Sequence, residues 1–513
     1  MLGQIHQRYQ RIIRLLRERK HGSSSSVPTF QPRPVAGPPF PAGNPCPQHF
    51  AHLTRRECLL TITPPMRPRP AVNYSPALRD ARLATAIAPA GLLFLILAGL
   101  PTRTAPAADA DDPLTVSLLT IGPGSAIYER FGHNAIVIDD RRRGISVAYN
   151  FGIFSFEDRN FILRFIQGRM RYRLEAWDAA RTVQMYIEED RSIWLQQLNL
   201  SSAQKLQLLQ RLEDNARPEN AAYLYDYYAD NCSTRVRDAL DAVLGGLLRN
   251  SLEPLPANAT YRDHTRRSLA GNPLIYAALA LVLGQGVDRP LSAWEESFMP
   301  LRLRDHLRRV SVTDADGASR PLVALEQPIY ASRRFFDRPA PPHWLAWFLA
   351  VGALAGAALA ALSVPAVARR TARLALAAVS AFWCLLAGGG GLFILIVWLF
   401  TSHVAAYRNE NLLHFSPLAL PLAIIMPAAA LGRPLAQRLA LPLAALVLFS
   451  SLLGVTLKLT PLFTQFNAEI IALALPAHAG MCFAAWRLRR VSSASAIPPA
   501  GLRPVRTAGG NAK

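Results

Sequence analysis

The last third of this chain holds five apolar runs, each of about the length a bilayer requires: Trp344 to Val364, Leu374 to Phe400, Pro417 to Leu431, Leu439 to Leu457 and Glu469 to Trp486. Such runs predict an all-α transmembrane bundle of about five helices over 341–490. The third run is the shortest and is interrupted by proline. Basic loops follow the first run (ARRTAR), the third (GRPLAQR) and the fifth (RLRR), so these face the cytoplasm, and the soluble domain before the runs lies outside with the other two loops. The net charge is +21 over 513 residues, 51% of them hydrophobic. The arginines are spread through the N-terminal segment, the middle domain and the short loops, which fits membrane topology and excludes a nucleic-acid recognition stripe.

Residues 1–65 become rich in Ser, Pro and Gly after a short basic start, and read as a disordered or mis-annotated extension. From Met66 to residue 108 the chain has a basic segment, an apolar run from Leu83 to Leu100 and small residues around Ala105 and Ala107. That is the layout of a signal peptide or an uncleaved signal anchor, with Met66 as an expected translation start. No cysteine closes the apolar run, so the chain does not read as a lipoprotein itself. Residues 491–513 read as a disordered cytoplasmic tail.

Residues 109–340 have the composition of a soluble domain. Strands are predicted from Pro113 into a glycine turn at Gly124, over Ala135 to Asp140 and over Ile145 to Phe154. A helix is expected at Phe161 to Gln167, strands at Tyr172 to Ala176 and in TVQMYIEED, and a serine-capped helix in SSAQKLQLLQRLEDNARPEN. Strands first and helices afterwards make this an α+β domain.

Cys232 is the only cysteine of that domain. Asp230 and Asn231 form a turn before it, Ser233 and Thr234 fit a first helical turn, and Val236, Leu240 and Val243 recur at helical spacing. A sulfur at a helix N-terminus has a lowered thiol pKa and is a candidate nucleophile; the competing reading is a small buried hydrophobe. His133, after Gly132 at a strand start, is either the cap of a turn or the base that takes the thiol proton. Asn150, on the next strand, is the first candidate to orient the imidazole, with Tyr149 and Tyr128 behind it. His264 and His306 sit among arginines and read as surface residues. No residue set has metal-site spacing, and no cofactor is implied.

YERFGHN, VAYNFGIFSF, FIQGRMRYRL and YDYYADNCSTRVRDAL, in that order, resemble the periplasmic domain of the Lnb-type lipoprotein N-acyltransferases of Gram-negative bacteria. The arrangement is distantly similar to permuted NlpC/P60 and lecithin:retinol acyltransferase-like thiol enzymes. The likeness runs over most of residues 113–310. It implies an NlpC/P60-like antiparallel sheet plus helices, with Cys232 as nucleophile, His133 as base and, on a looser match, Asn150 as the third polar group. Tyr128, Tyr149 and Asn231 are the substrate-binding candidates of this domain.

One outward loop, Thr401 to Pro417, carries His403, Asn409, Asn411 and His414. These side chains are either interfacial solvation or, by the H…N-x-NLL…P segment of Lnb-like proteins, a surface that faces the active site; His403, Asn409 and Asn411 are therefore further substrate-binding candidates. The glycine run Gly388 to Gly391 allows close helix packing or a local break, or is a lipid-facing weakness. The resulting expectation is a multi-pass protein of the bacterial inner membrane with its catalytic domain in the periplasm. It would move an acyl chain from an ester of a membrane phospholipid or of a lipoprotein through a Cys232 thioester to an amine, which the resemblance makes the N-terminal cysteine of a lipoprotein. The rivals are a Cys-His hydrolase, whether cell-wall peptidase or lipid esterase, and a non-catalytic envelope scaffold.

Overall fold

The computed structural model describes residues 112–313, 316–334 and 337–495. The expected extension at 1–65, the signal segment at 66–108 and the tail beyond Ser495 lie outside the described residues.

Seven antiparallel strands build the sheet: β1 (Leu114–Ile121), β2 (His133–Asp140), β3 (Ile145–Ile153), β4 (Arg171–Asp178), β5 (Ile193–Leu198), β6 (Ala222–Leu224) and β7 (Val323–Tyr330), in the order β7-β5-β1-β2-β3-β4-β6. The interior strand β1 is apolar on both faces because both are covered. Val116 and Leu118 pack against Leu208 and Leu212 of α3 (Ser202–Ala216) and Val236 and Leu240 of α4 (Cys232–Val243). Leu119 and Ile121 pack on the other side against Ala179 and Tyr186 of α2 (Ala179–Glu188). α1 (Phe161–Ile166) joins β3 to β4.

The expected helices and the first three strands are present, but TVQMYIEED is not a strand. Asp178 caps it by accepting the Arg181 N–H at 2.7 Å, and Ala179, Thr182 and Tyr186 bury one helical face. Thr, Val, Tyr and Ile suit a strand locally; the cap and the sheet face that these side chains cover decide for the helix. The edge strand β7 carries Pro328, which an edge tolerates because one side of the strand needs no partner.

A helical segment lies between α4 and β7 in the chain, including α5 (Tyr261–Ser268), α6 (Pro273–Val282) and α7 (Pro300–Leu307). Here the structure corrects the reading of two histidines. His264 and His306 are buried, and both reach the same carboxylate: His264 Nε2 lies 3.0 Å from Glu296 Oε1, and His306 Nε2 lies 2.8 Å from Oε2. The arginines around them misled, since Arg267 turns inward too and places Nη2 2.9 Å from His264 Nδ1.

The membrane half contains α8 (Leu345–Ser363), α9 (Arg370–Phe400), α10 (Leu422–Ala430), α11 (Pro434–Leu457) and α12 (Ala468–Ser495). Four of these are long and apolar enough to cross a bilayer. The third expected span is a broken one, in which Glu410–Ala419 and Leu422–Ala430 meet at 52°. Proline accounts for the break, with Pro417 and Pro421 before α10 and Pro427 inside it. That broken pair must still cross. Lys458, just after α11, pairs with Glu410, so both ends of the stretch 410–458 lie on one side. α11 alone is 24 residues, about 36 Å of helix, and the return crossing falls to the pair. The glycine run does not break α9. A Cβ on Gly391 would strike the Phe415 backbone, so glycine there lets the broken span lie directly against the long helix.

Candidate active site

The residues around Cys232 define a helix start with little freedom. Asn231 caps α4, its Oδ1 accepting the N–H of Ser233 at 2.8 Å and of Thr234 at 2.9 Å. Its Nδ2 donates to the carbonyls of Tyr227 and Phe298, both at 3.0 Å. Ser233 Oγ donates to Ser297 O at 2.6 Å and accepts from Asn134 Nδ2 at 3.0 Å, which pins the helix start to the beginning of β2. The sulfur then meets the backbone N–H groups of Asn134, Ser233 and Cys232 itself. Opposite it stands Gly152, at φ +85° where β3 departs from regular pairing between Asn150 and Ile153. A Cβ there would sit 3.2 Å from the Cys232 Cβ, so glycine provides both the backbone turn and the room for α4 to reach the sheet.

His133 begins β2, one residue before Asn134, which brings imidazole and thiol to the same end of the strand. Its Nε2 lies 3.2 Å from Asn150 Oδ1. Asn150 is fully buried and commits its Nδ2 to Ala148 O at 3.0 Å, so its oxygen is the group left to face the ring. The imidazole therefore carries its proton on Nε2 and keeps Nδ1 as the basic nitrogen.

The electrostatics correct one expectation. The helix N-terminus does favour the thiolate, and Arg191 adds to that, but burial is the larger effect and the Cys232 pKa is raised above 9.0. His133 is pushed down to about 4, first by burial and then by the Arg191 charge, with the Asn150 hydrogen bond pulling the other way. At neutral pH both partners are uncharged. The resting state is therefore a neutral thiol beside a neutral imidazole, and not a preformed thiolate and imidazolium.

Arg191 is the contributor that sequence reading missed. It is buried, donates from Nε to Gly122 O at 3.1 Å and stands 4.8 Å over the Tyr186 ring, which in turn lies 6.1 Å from the His133 ring. Nothing in DRSIW distinguishes it from the many other arginines. Asn134 and Gly152 were also passed over, although both belong to the GHN and NFG triplets that drew attention to their neighbours.

The other candidates separate. Tyr128 is exposed, with its ring edge-on to Phe154 at 5.4 Å. Tyr149 is a correction: it points away from Asn150 into the core shared with α3 and α4, and burial takes its pKa up to about 12. Asn231 likewise spends its amide internally, the oxygen on the α4 cap and the nitrogen on the carbonyls of Tyr227 and Phe298. In the outward loop, Asn409 Nδ2 donates to Leu281 O and Val282 O at 3.0 and 2.7 Å, and Asn411 Nδ2 to Ala280 O and Leu281 O at 3.1 and 2.8 Å. Both asparagines are buried and terminate α6, which fastens the helical segment to the membrane half. His403 alone among the loop candidates turns toward the sheet domain, its Nε2 2.9 Å from Phe165 O and its ring stacked 6.3 Å from Tyr227. Among the described residues no group of three or more His, Cys, Asp or Glu side chains could hold a metal ion.

A lone thiol and an imidazole at the same end of β2 in an α+β sheet domain, joined to apolar helices of membrane-spanning length, define the class: a multi-pass membrane protein with a candidate thiol centre outside the bilayer. Residues 106–267, which include Cys232, His133 and Asn150, match the family model of the Lnb N-terminal periplasmic domain. The match supports the Lnb family and a protein of the cell envelope. No curated protein and no solved structure matches the chain.

Proposed function

We propose that the protein is a thiol acyltransferase of the bacterial inner membrane, working on the periplasmic side. Cys232 Sγ attacks an ester carbonyl of a membrane phospholipid while His133 Nδ1 takes the thiol proton. The ester C–O bond then breaks, the departing alkoxide receives that proton from the imidazolium, and the acyl group remains as a thioester on Cys232. An amine, which the family resemblance makes the N-terminal cysteine of a lipoprotein, attacks the thioester. His133 accepts the amine proton and returns it to the leaving sulfur. No cofactor enters this sequence. What carries the reading is one observation: the proton-bearing Nε2 of His133 faces Asn150, leaving Nδ1 basic at the end of β2 where the Asn134 N–H meets the sulfur. Anchoring on about five helices keeps such a centre at the surface where both substrates reside.

The test is mass spectrometry of Cys232 in the purified full chain, wild type and His133→Ala, after incubation with phospholipid vesicles. A fatty-acyl thioester that is lost in the histidine variant supports the reading. Release of free fatty acid with no transfer to an added amine would instead make the protein a hydrolase. A well-folded protein whose Cys232 resists both acylation and alkylation would make it a scaffold.

A further inference from the structure

α1 is short and carries its apolar side chains outward. Ile162, Leu163, Phe165 and Ile166 are between 44% and 60% exposed, and a shallow groove of ≈ 480 Å³ runs between them and Phe156. Exposed aliphatic and aromatic groups packed this densely on so small an element mark a contact surface. Its occupant follows from where α1 is fastened. The Ser402 N–H donates to Gln167 O at 2.8 Å, and His403 Nε2 lies 2.9 Å from Phe165 O. Ser402 and His403 come two and three residues after the end of α9, whose last residue, Phe400, is itself exposed. α1 is thus held within a few residues of the end of a transmembrane helix, at the level where acyl chains meet headgroups. Leu459 and Leu462, in the other loop on this side, are exposed as well. The exposed cations Arg159, Arg169 and Arg171 flank α1, as suits a surface of phosphate groups.

Behind α1 a row of rings leads inward. Phe161 stacks on Phe154 at 5.5 Å, Phe154 on Tyr172 at 4.8 Å, and Tyr172 on Tyr225 at 4.2 Å. Tyr225 and Cys232 then lie side by side against Gly152, at 3.6 and 3.2 Å from the position of a Cβ.

We propose that α1 inserts its apolar side chains into the adjoining phospholipid leaflet and that the aromatic row guides one acyl chain from there toward Cys232. The leaflet contact stands by itself; the guidance rests on the acyltransferase reading. In full-length protein reconstituted in vesicles of radiolabelled phosphatidylethanolamine, benzoylphenylalanine is placed at position 163 or, as a control, at 145. Ile145 is also exposed but starts β3, at the end opposite Gly152. Irradiation is expected to label position 163 with lipid at least about tenfold more than position 145. Equal labelling, or crosslinking of position 163 to protein in place of lipid, overturns the proposal. For the second half, Leu163→Glu with Ile166→Glu is expected to slow thioester formation from vesicles at least about tenfold while leaving thioester formation from a micellar short-chain phospholipid unchanged. An equal loss with both substrates overturns the guidance. Lipid labelling at 163 without any thioester from either substrate would leave the leaflet contact standing and remove the acyltransferase reading.

Discussion

The uncharged resting pair makes a prediction about acid. A histidine at the ordinary pKa of 6.5 would be neutral, and so able to act as base, in only about 3% of molecules at pH 5; with the pKa near 4 about 90% would be. Thioester formation at Cys232, followed by mass spectrometry from about pH 4 to 8, should therefore keep most of its plateau rate at pH 5, roughly 30-fold more than an unperturbed imidazole allows. Arg191→Gln removes the second of the two causes and leaves burial in place, so the acid limb should move up to a position between 4 and 6.5. The same change takes a favourable charge from the thiol and should slow alkylation of Cys232 near pH 8. Both effects are those of a lost positive charge, which raises the imidazole and thiol pKa values together, and Arg191→Lys, which retains the charge, should restore much of the wild-type limb where a general loss of structure would not be rescued. An acid limb near 6.5 in the wild type, or one that Arg191→Gln does not move, would refute the reasoning.

Other perturbations test the supports. Glu296, buried between His264 and His306, is held at about 2 against an ordinary 4.5 because the two histidine contacts outweigh its burial. A depressed carboxylate contributes stability that is full above pH 4.5 and lost as pH falls toward 2, here on the order of 3 kcal/mol. Glu296→Gln should lower the unfolding temperature at pH 7 and flatten its acid dependence, read by thermal melts across that range. Gly152→Ala must hold a positive φ, at a cost of about 1–2 kcal/mol, and brings its Cβ within 3.2 Å of the Cys232 Cβ. It should cut acylation of Cys232 while circular dichroism stays near wild type. Asn411→Ala leaves the carbonyls of Ala280 and Leu281 and the amide of Asn467 without this partner, on the order of 3 kcal/mol in all. Proteolysis within residues 401–417 should become faster in that variant.

The local structure around the candidate positions was legible because its sequence signals are strong. Asp230, Asn231, Ser233 and Thr234 spell a helix start around Cys232, and a glycine before His133 spells a strand entering from a turn. What a single sequence could not supply was the direction of each side chain. Tyr149 and Asn150 are neighbours, and only the pairing of β3 with β2 and β4 decides which of them faces the histidine. Asn409 and Asn411 look like solvated loop residues until α6, more than a hundred positions earlier, presents its free carbonyls. The sign of the thiol shift was misjudged for the same reason. A helix N-terminus can be read from four residues, whereas the burial that outweighs it comes from strands, helices and turns scattered over the domain.

That burial has a consequence for the proposed chemistry. In an exported domain a lone thiol with a low pKa would be a standing target for oxidation and disulfide exchange, since both proceed through the thiolate. Cys232 is 8% exposed and, with its pKa raised above 9.0, keeps its proton at rest. The three N–H groups at the sulfur, Arg191 and the basic Nδ1 of His133 remain in place to stabilise the thiolate once a carbonyl is bound and the proton moves. A centre of this kind trades resting reactivity for selectivity: deprotonation and attack occur together, and only on a substrate that has entered. The neutral imidazole is essential to that arrangement, because a charged one could not accept the proton. In the proposed chemistry, burial, which on the thiol alone would argue for an inert cysteine, therefore acts on the histidine to keep it able to accept the proton.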